Sequence, residues 1–191
     1  TLAKLFNLVE NFRQKDKETP IILMGYYNPI YHFGVKNFTE ISKKSGIDGL
    51  LIVDLPLEES FEMNRFARKN DLDIINLVGQ NSSEERISKI CQNSSGFIYL
   101  VSILGITGTK EPDISKNIPF INHIRKNSDL PIALGFGIKN PEIAGRVAKL
   151  DIDAVVVGSS LVEIINNNIL DRDNILKEIS AKVKEFKTAI N

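Results

Sequence analysis

Two short apolar runs in the last third of the chain end in glycine and serine. They read IALGFG at 132–137 and AVVVGSS at 154–160, and each leads towards a helical stretch. A strand that ends in small residues before a helix directs several backbone N–H groups, and the positive end of the helix dipole, towards one point. The two runs therefore predict a binding site for a phosphate group.

Asp54 is the acidic residue best placed for chemistry. It follows the apolar run LLIV and precedes Leu55 and Pro56, so it lies at the carboxyl end of a predicted strand. Enzymes built on parallel strands hold their sites at that end, where a carboxylate can orient a substrate. Alternatively, Asp54 caps the helix that follows. The Leu-Pro pair delays that helix, which favours the substrate-orienting role.

Tyrosines occupy two further strand positions. Tyr26 and Tyr27 end the predicted strand 20–27, and we expect one ring to face the site while the other packs outward. Tyr99 lies inside the run GFIYLVS at 96–102. Its phenol is either a group of the site or a packed core side chain.

The segment SILGITGTKEPD at 102–113 has the composition of a binding loop. It holds two glycines and two threonines directly after a predicted strand, and it has no helical period. Such a segment can close over a ligand and exclude water. The alternative is an ordinary surface loop.

The composition excludes several other classes of protein and site. The 24 basic and 24 acidic residues cancel, and no segment concentrates positive charge as a nucleic-acid or membrane surface would need. The lone Cys91 excludes an intrachain disulfide and fits a cytoplasmic protein. Neither His32, assigned to a loop, nor His123, assigned to a helix, lies at a predicted strand end, and no cluster has metal-ligand spacing. We therefore expect neither a catalytic histidine nor a metal.

Apolar, β-branched runs alternate with amphipathic stretches along the chain. Residues 2–12 predict an opening helix, and the apolar runs predict strands at 20–27, 49–56, 73–79, 96–102, 131–137 and 153–159. Helices are predicted between the strands, and Ser82 with Glu85 forms a capping box at the start of one of them. This alternation predicts a single α/β domain over residues 1–191, with parallel strands covered by helices.

The position of the phosphate signal distinguishes two folds. A doubly wound dinucleotide-binding sheet carries its glycine-rich turn after the first strand, but here YYNPIYHFG follows that strand. A (β/α)8 barrel, or TIM barrel, binds phosphate after strands seven and eight. We therefore predict a TIM barrel of which this chain holds about six βα units, strands three to eight, with strands one and two missing at the N-terminus.

Six segments, in this order along the chain, resemble the tryptophan synthase alpha family. They are LMGYYNPIYHFG, DGLLIVDLPLEES, SSEERISKI, GFIYLVSILGITGTK, LPIALGFGIKNPE and DAVVVGSSLVE. The resemblance implies a lyase of tryptophan biosynthesis that cleaves indole-3-glycerol phosphate to indole and glyceraldehyde 3-phosphate by a retro-aldol reaction. It implies no cofactor in the alpha subunit. It also implies a cytoplasmic α2β2 heterotetramer, in which the partner beta subunit carries pyridoxal phosphate (PLP) and faces the Asn28-Pro29 segment.

The resemblance assigns roles to individual residues. The substrate phosphate is expected on the backbone N–H groups of Gly108, Gly137, Gly158 and Ser159. The indole ring is expected in a pocket formed by Tyr26, Leu51, Val53, Leu77, Phe136 and Val156. Supporting catalytic roles are expected for Tyr99, Thr107 and Asp54.

The main acid–base pair of the family matches no residue of this sequence. By the resemblance, these are a glutamate in strand two and an aspartate in the loop after it, both expected upstream of Thr1. We therefore expect the chain alone to be inactive. Two alternatives to the lyase stay open: a non-catalytic module that binds the beta subunit, and another phosphate-binding TIM-barrel enzyme. The joint presence of Tyr99 and Thr107 in YLVSILGITG favours the lyase family.

Overall fold

The computed structural model describes residues 1–102 and 113–191. The contacts divide the chain into two compact units. Unit 1 comprises Thr1–Leu77 and Lys89–Ile98, and unit 2 comprises Val78–Ser88 and Tyr99–Asn191. The single domain expected over residues 1–191 stays a prediction.

Helices and strands alternate along the chain, as the sequence predicts. The strands are β1 Ile22–Gly25, β2 Gly49–Ile52, β3 Asp73–Ile74, β4 Asn76–Val78, β5 Ile98–Val101, β6 Ile132–Gly135 and β7 Ala154–Val156. The helices are α1 Leu2–Arg13, α2 Tyr27–Phe33, α3 Val35–Ser45, α4 Phe61–Lys69, α5 Glu84–Asn93, α6 Ile118–Asn127, α7 Pro141–Val147, α8 Ser159–Asn167 and α9 Arg172–Ile190.

The first sheet has the strand order β1-β2-β3, and its strands are parallel. Gly25 pairs with Ile52, so the carboxyl ends of β1 and β2 lie at the same level. The core of unit 1 includes Phe6 of α1 and Phe38 of α3, which are 4% and 2% exposed and whose rings lie 5.9 Å apart. These buried apolar residues fix the two helices against the strands.

The second sheet has the strand order β4-β5-β6-β7. Its strand β6 is buried at every position, as expected for a parallel strand covered on both faces. In unit 2, Gly145 of α7 allows a close helix crossing, because a Cβ there would lie 2.6 Å from the Ala189 carbonyl oxygen of α9. The register of β6 against β7 places Gly135 opposite Val156.

Three local predictions need correction. The predicted strand 73–79 is broken at Ile75 into β3 and β4, which belong to different sheets. The predicted strand 20–27 ends at Gly25, because the chain turns into α2 at Tyr27. For the same reason His32, which the sequence assigned to a loop, lies in α2. The hydroxyl that caps α5 is that of Ser83, which accepts from the Arg86 N–H at 3.2 Å, while the Ser82 hydroxyl accepts from Gly79 N–H.

An arginine–aspartate latch ties the end of α1 to the first sheet. The Asp48 N–H donates to the Ile21 carbonyl at 2.9 Å, and the Ile21 N–H donates to Asp48 Oδ2 at 2.7 Å. Arg13 Nη2 donates to the same carboxylate oxygen at 2.6 Å. The latch therefore joins a helix end to the amino ends of two neighbouring strands.

Unit 2 contains a second latch of the same design. The Asp153 N–H donates to the Ile132 carbonyl at 2.9 Å, the Ile132 N–H donates to Asp153 Oδ2 at 2.7 Å, and Arg125 Nη2 donates to that oxygen at 2.7 Å. The Ile132 N–H and, after it, the Arg125 guanidinium hold the pKa of Asp153 below its ordinary value. The aspartate is therefore ionised throughout the neutral range.

Candidate functional site

The carboxyl ends of β6 and β7 bring the predicted phosphate ligands of unit 2 to one level. Because Gly135 pairs with Val156, Gly137 and Gly158 each lie two residues beyond a paired position. Gly158 is the N-cap of α8, and the helix begins at Ser159. A Cβ on Gly158 would meet no atom within 4 Å, so the space in front of its backbone is open. Free N–H groups at a helix start with open space before them suit an anion.

The backbone between β6 and the following turn is strained. Phe136 has φ = +83° and Gly137 has φ = +78°. Glycine adopts this region readily, but a phenylalanine there is a conformational outlier. The Phe136 ring is 70% exposed, so packing of the ring cannot be what holds its backbone.

Ser102 holds this strained segment, and sequence reasoning missed it. Its side chain is buried, its N–H donates to the Gly135 carbonyl at 2.7 Å, and its hydroxyl donates to the Phe136 carbonyl in a short hydrogen bond. The signal in the sequence is a polar residue that ends the buried strand run YLV. Such a residue needs a partner, since an unpaired buried hydroxyl is costly.

Tyr99 lies inside the second sheet beside the same segment. It is 9% exposed, and burial raises the pKa of its phenol, so the group is neutral at physiological pH. A Cβ on Gly135 would lie 2.1 Å from the Tyr99 hydroxyl and 2.8 Å from the Val156 Cβ. The absence of a side chain at Gly135 therefore makes the room that the tyrosine occupies. Tyr99 is packed as a core side chain, and its supporting catalytic role stays a prediction.

Asp54 caps a helix, but not the helix that the sequence suggested. Its Oδ1 accepts a hydrogen bond at 2.7 Å from the N–H of Tyr27, the first residue of α2. The parallel register explains this contact. Gly25 pairs with Ile52, and Tyr27 and Asp54 each come two residues after one member of this pair. The carboxylate thus satisfies a helix start on the neighbouring strand. Its substrate-orienting role stays a prediction.

An apolar cavity of about 300 Å³ in unit 1 includes two of the predicted indole-pocket residues, Tyr26 and Leu51. Tyr26 is 65% exposed, whereas Tyr27 packs against the core cluster, and the expectation that one of the two rings faces the site stays a prediction. Val53 is 40% exposed and Leu77 is half-buried, and neither lines this cavity. The structure therefore groups Tyr26 with Leu51, and the wider indole pocket stays a prediction.

The histidines take packing and surface roles. His123 of α6 places its Nε2 atom 3.0 Å from the Glu84 carbonyl oxygen, and His32 is exposed on α2. In residues 1–102 and 113–191, no group of three His, Cys, Asp or Glu side chains could hold a metal ion.

The family profile described as "Tryptophan synthase alpha chain" matches residues 1–191. The chain belongs to the tryptophan synthase alpha family. Members of this family are lyases. Two of the site positions that the resemblance assigned, Thr107 and Gly108, lie outside the described residues.

Solved structures of tryptophan synthase are similar over nearly all of this alpha chain. One is the a2b2 complex of Pyrococcus furiosus, with 33% identity, coverage of 98% of this chain and 73% of that chain, and a TM-score of 0.85. Another is the alpha subunit of Legionella pneumophila str. Paris, with 34% identity, 97% and 68% coverage, and a TM-score of 0.86. These similarities confirm the predicted fold class, the TIM barrel, for this member of the family. None of the helices in the described part of the chain is long and apolar enough to cross a membrane.

Proposed function

We propose that this alpha chain binds indole-3-glycerol phosphate for retro-aldol cleavage to indole and glyceraldehyde 3-phosphate. The observation that carries the proposal is the pair of strand ends in unit 2, where Gly137 and Gly158 lie at one level beside the start of the nine-residue helix α8. A phosphate dianion accepts several hydrogen bonds and is favoured at a helix start. Gly137, Gly158 and the N–H and hydroxyl of Ser159 are its proposed ligands, together with Gly108.

The cleavage breaks the bond between indole C3 and the first carbon of the glycerol phosphate chain. The electron pair of that bond goes to the indole, whose C3 takes up a proton, while the hydroxyl on the first carbon of the chain loses its proton and that C–OH group becomes the aldehyde C=O. By the family resemblance, these transfers belong to a glutamate and an aspartate that match no residue of this sequence. The residues proposed here therefore bind and orient the substrate.

Apolar side chains supply the proposed indole pocket. Leu51 is 2% exposed, which makes it part of a rigid wall, whereas the Phe136 ring is exposed next to the proposed phosphate ligand Gly137. The exposed ring can cover an indole whose phosphate is held one residue away. Val53, Leu77, Val156 and Tyr26 complete the proposed pocket, with Tyr99, Thr107 and Asp54 in supporting roles.

The proposed partner is a tryptophan synthase beta subunit in a cytoplasmic α2β2 assembly. The Pyrococcus furiosus relative forms an a2b2 complex with mutual activation. The alpha subunit itself uses no cofactor, and PLP belongs to the beta subunit. Asn28 and Pro29 are exposed on the first turns of α2, which makes them available for this contact.

The phosphate site is tested by adding a negative charge to it. In Ser159→Asp, the new carboxylate faces the phosphate, so the affinity for indole-3-glycerol phosphate and for inorganic phosphate should fall at least about tenfold. Ser83→Asp is the matched control, because Ser83 also starts an exposed helix but lies outside the site. Isothermal titration of both ligands is the measurement. Equal affinities in Ser159→Asp and the unmodified protein would contradict the proposed site.

The partnership is tested separately. Titrating a beta subunit with this chain should change the rate of tryptophan formation from indole and serine and produce a co-eluting complex. Pro29→Asp should weaken that complex without affecting phosphate affinity. A beta-subunit rate that does not respond at saturating concentrations, together with separate elution, would contradict the partnership.

A further inference from the structure

We infer that Ser102 is a positioning residue of the phosphate site, whose hydroxyl aims the Gly137 N–H at the substrate phosphate. The inference rests on the proposed function, because it names what directs one of the proposed ligands. Ser102 is buried and does not itself face the ligand. It acts through the peptide group that joins Phe136 to Gly137.

The backbone of Phe136 is strained. A φ of +83° is costly for a residue with a Cβ, so the surrounding contacts must impose it. The Phe136 ring is 70% exposed and contributes little packing. The force that holds this backbone therefore comes from its hydrogen bonds.

Ser102 supplies two of those hydrogen bonds from one rigid position. Its N–H donates to the Gly135 carbonyl at 2.7 Å, which fixes the end of β6, and its hydroxyl donates to the Phe136 carbonyl. The carbonyl oxygen of Ser102 also lies 3.5 Å from Gln80 Nε2. Because Ser102 is only 1% exposed, its hydroxyl cannot exchange this partner for bulk water.

The planar peptide bond between Phe136 and Gly137 links the direction of the carbonyl to that of the N–H. The Phe136 carbonyl and the Gly137 N–H belong to the same trans peptide group, so they point in opposite directions. A hydroxyl that draws the carbonyl towards the buried serine therefore turns the N–H away from the core, towards the open end of the strands. The same φ value at Phe136 that costs energy is what places Gly137 N–H for an anion.

Removing the hydroxyl should weaken phosphate binding without loosening the fold as a whole. In Ser102→Ala, the Phe136 carbonyl loses its partner and the peptide group can rotate towards an unstrained geometry. We expect the dissociation constant for inorganic phosphate to rise about tenfold, the value of one well-formed hydrogen bond. Ser60→Ala is the matched control, since the buried Ser60 hydroxyl also donates to a carbonyl, that of Leu57, at 2.8 Å, in unit 1. It should lower the melting temperature comparably and leave phosphate affinity within twofold.

The measurements are phosphate titrations of the 191-residue protein and both variants at a temperature where circular dichroism shows each to be folded. A second measurement needs no variant: in the unmodified protein, the amide resonance of Gly137 should shift during the phosphate titration. An unchanged phosphate affinity in Ser102→Ala, an equal loss in Ser60→Ala, or a Gly137 resonance that stays still while that of Gly158 moves would each overturn the role of Ser102. Failure of the unmodified protein to bind phosphate at all would instead refute the proposed function, and this role with it.

Discussion

A methyl group added at Gly135 gives the sharpest test of how the second sheet is built. The Cβ of Gly135→Ala would lie 2.1 Å from the Tyr99 hydroxyl, 2.6 Å from its Cζ and 2.8 Å from the Val156 Cβ. Real Cβ atoms do not come this close to other atoms, so the ring or the strands must move. Tyr99 is 9% exposed, so its ring lies among packed neighbours. The substitution should therefore act by steric overlap.

The size of the effect follows from overpacking a buried position. Such substitutions cost about 1 to 3 kcal/mol of the free energy of unfolding. Shortening the tyrosine in Tyr99→Leu removes the overlapping hydroxyl oxygen and Cζ, at its own cost of about 2 kcal/mol for the lost burial. The double variant should lose about 1 to 2 kcal/mol less of its free energy of unfolding than the sum of the losses in the two single variants.

Urea unfolding of the four proteins, followed by circular dichroism, measures this coupling. Gly25→Ala in β1 is the control, because a Cβ there meets no atom within 4 Å and should lower the free energy of unfolding by no more than about 0.5 kcal/mol. Strict additivity of Gly135→Ala and Tyr99→Leu would contradict the predicted steric overlap. So would a loss in Gly25→Ala as large as that in Gly135→Ala.

Three further predictions concern single contacts. Gly145→Ala should destabilise unit 2 by about 1 to 3 kcal/mol, seen as a lower urea midpoint, because its Cβ would lie 2.6 Å from the Ala189 carbonyl oxygen; an unchanged midpoint would show that α9 shifts freely. Asp54→Ala should cost about 1 kcal/mol by removing the acceptor of the Tyr27 N–H, and Asp54→Asn should recover part of it; hydrogen exchange in α2 is the readout, and equal protection in all three proteins would contradict the cap. Asp153 has a pKa below its ordinary value in the folded protein, so its stabilising effect is complete above the unfolded pKa near 4 and disappears as the pH falls through the folded pKa. The stability gap between the native protein and Asp153→Asn should therefore close in acid, and a gap that stays constant from pH 7 to pH 2 would contradict the assignment.

Elements with a strong hydrophobic period were predictable from the sequence. The opening helix runs over Leu2–Arg13 as expected, and the apolar runs give β2, β5, β6 and β7 within the predicted ranges. The break of the predicted strand 73–79 at Ile75 was not predictable, because an apolar run carries no information about which neighbour each half pairs with. Strand pairing depends on tertiary structure, and β3 pairs in the first sheet whereas β4 pairs in the second.

The candidate site also has features that the sequence predicted and features that it could not predict. The glycine-ended strands were predictable, and the structure places Gly137 and Gly158 at one level, while their role as phosphate ligands stays a prediction. The partner of Asp54 could not be deduced, because its contact with Tyr27 depends on the register between two strands. The positive φ of Phe136 could not be predicted either, because nothing about a phenylalanine in a sequence indicates that conformation. The role inferred for Ser102 depends on this φ and was therefore not predictable.

The two latches bear on the order in which this chain folds. Arg13 and Asp48 are 35 residues apart, and Arg125 and Asp153 are 28 residues apart, so each latch closes a short stretch of chain. Closing such loops costs little entropy compared with contacts between distant segments. Each latch also joins a helix to two neighbouring strands and so encloses a complete supersecondary unit. Each latch lies within one unit, so its hydrogen bonds need only their own stretch of chain and do not depend on the other latch.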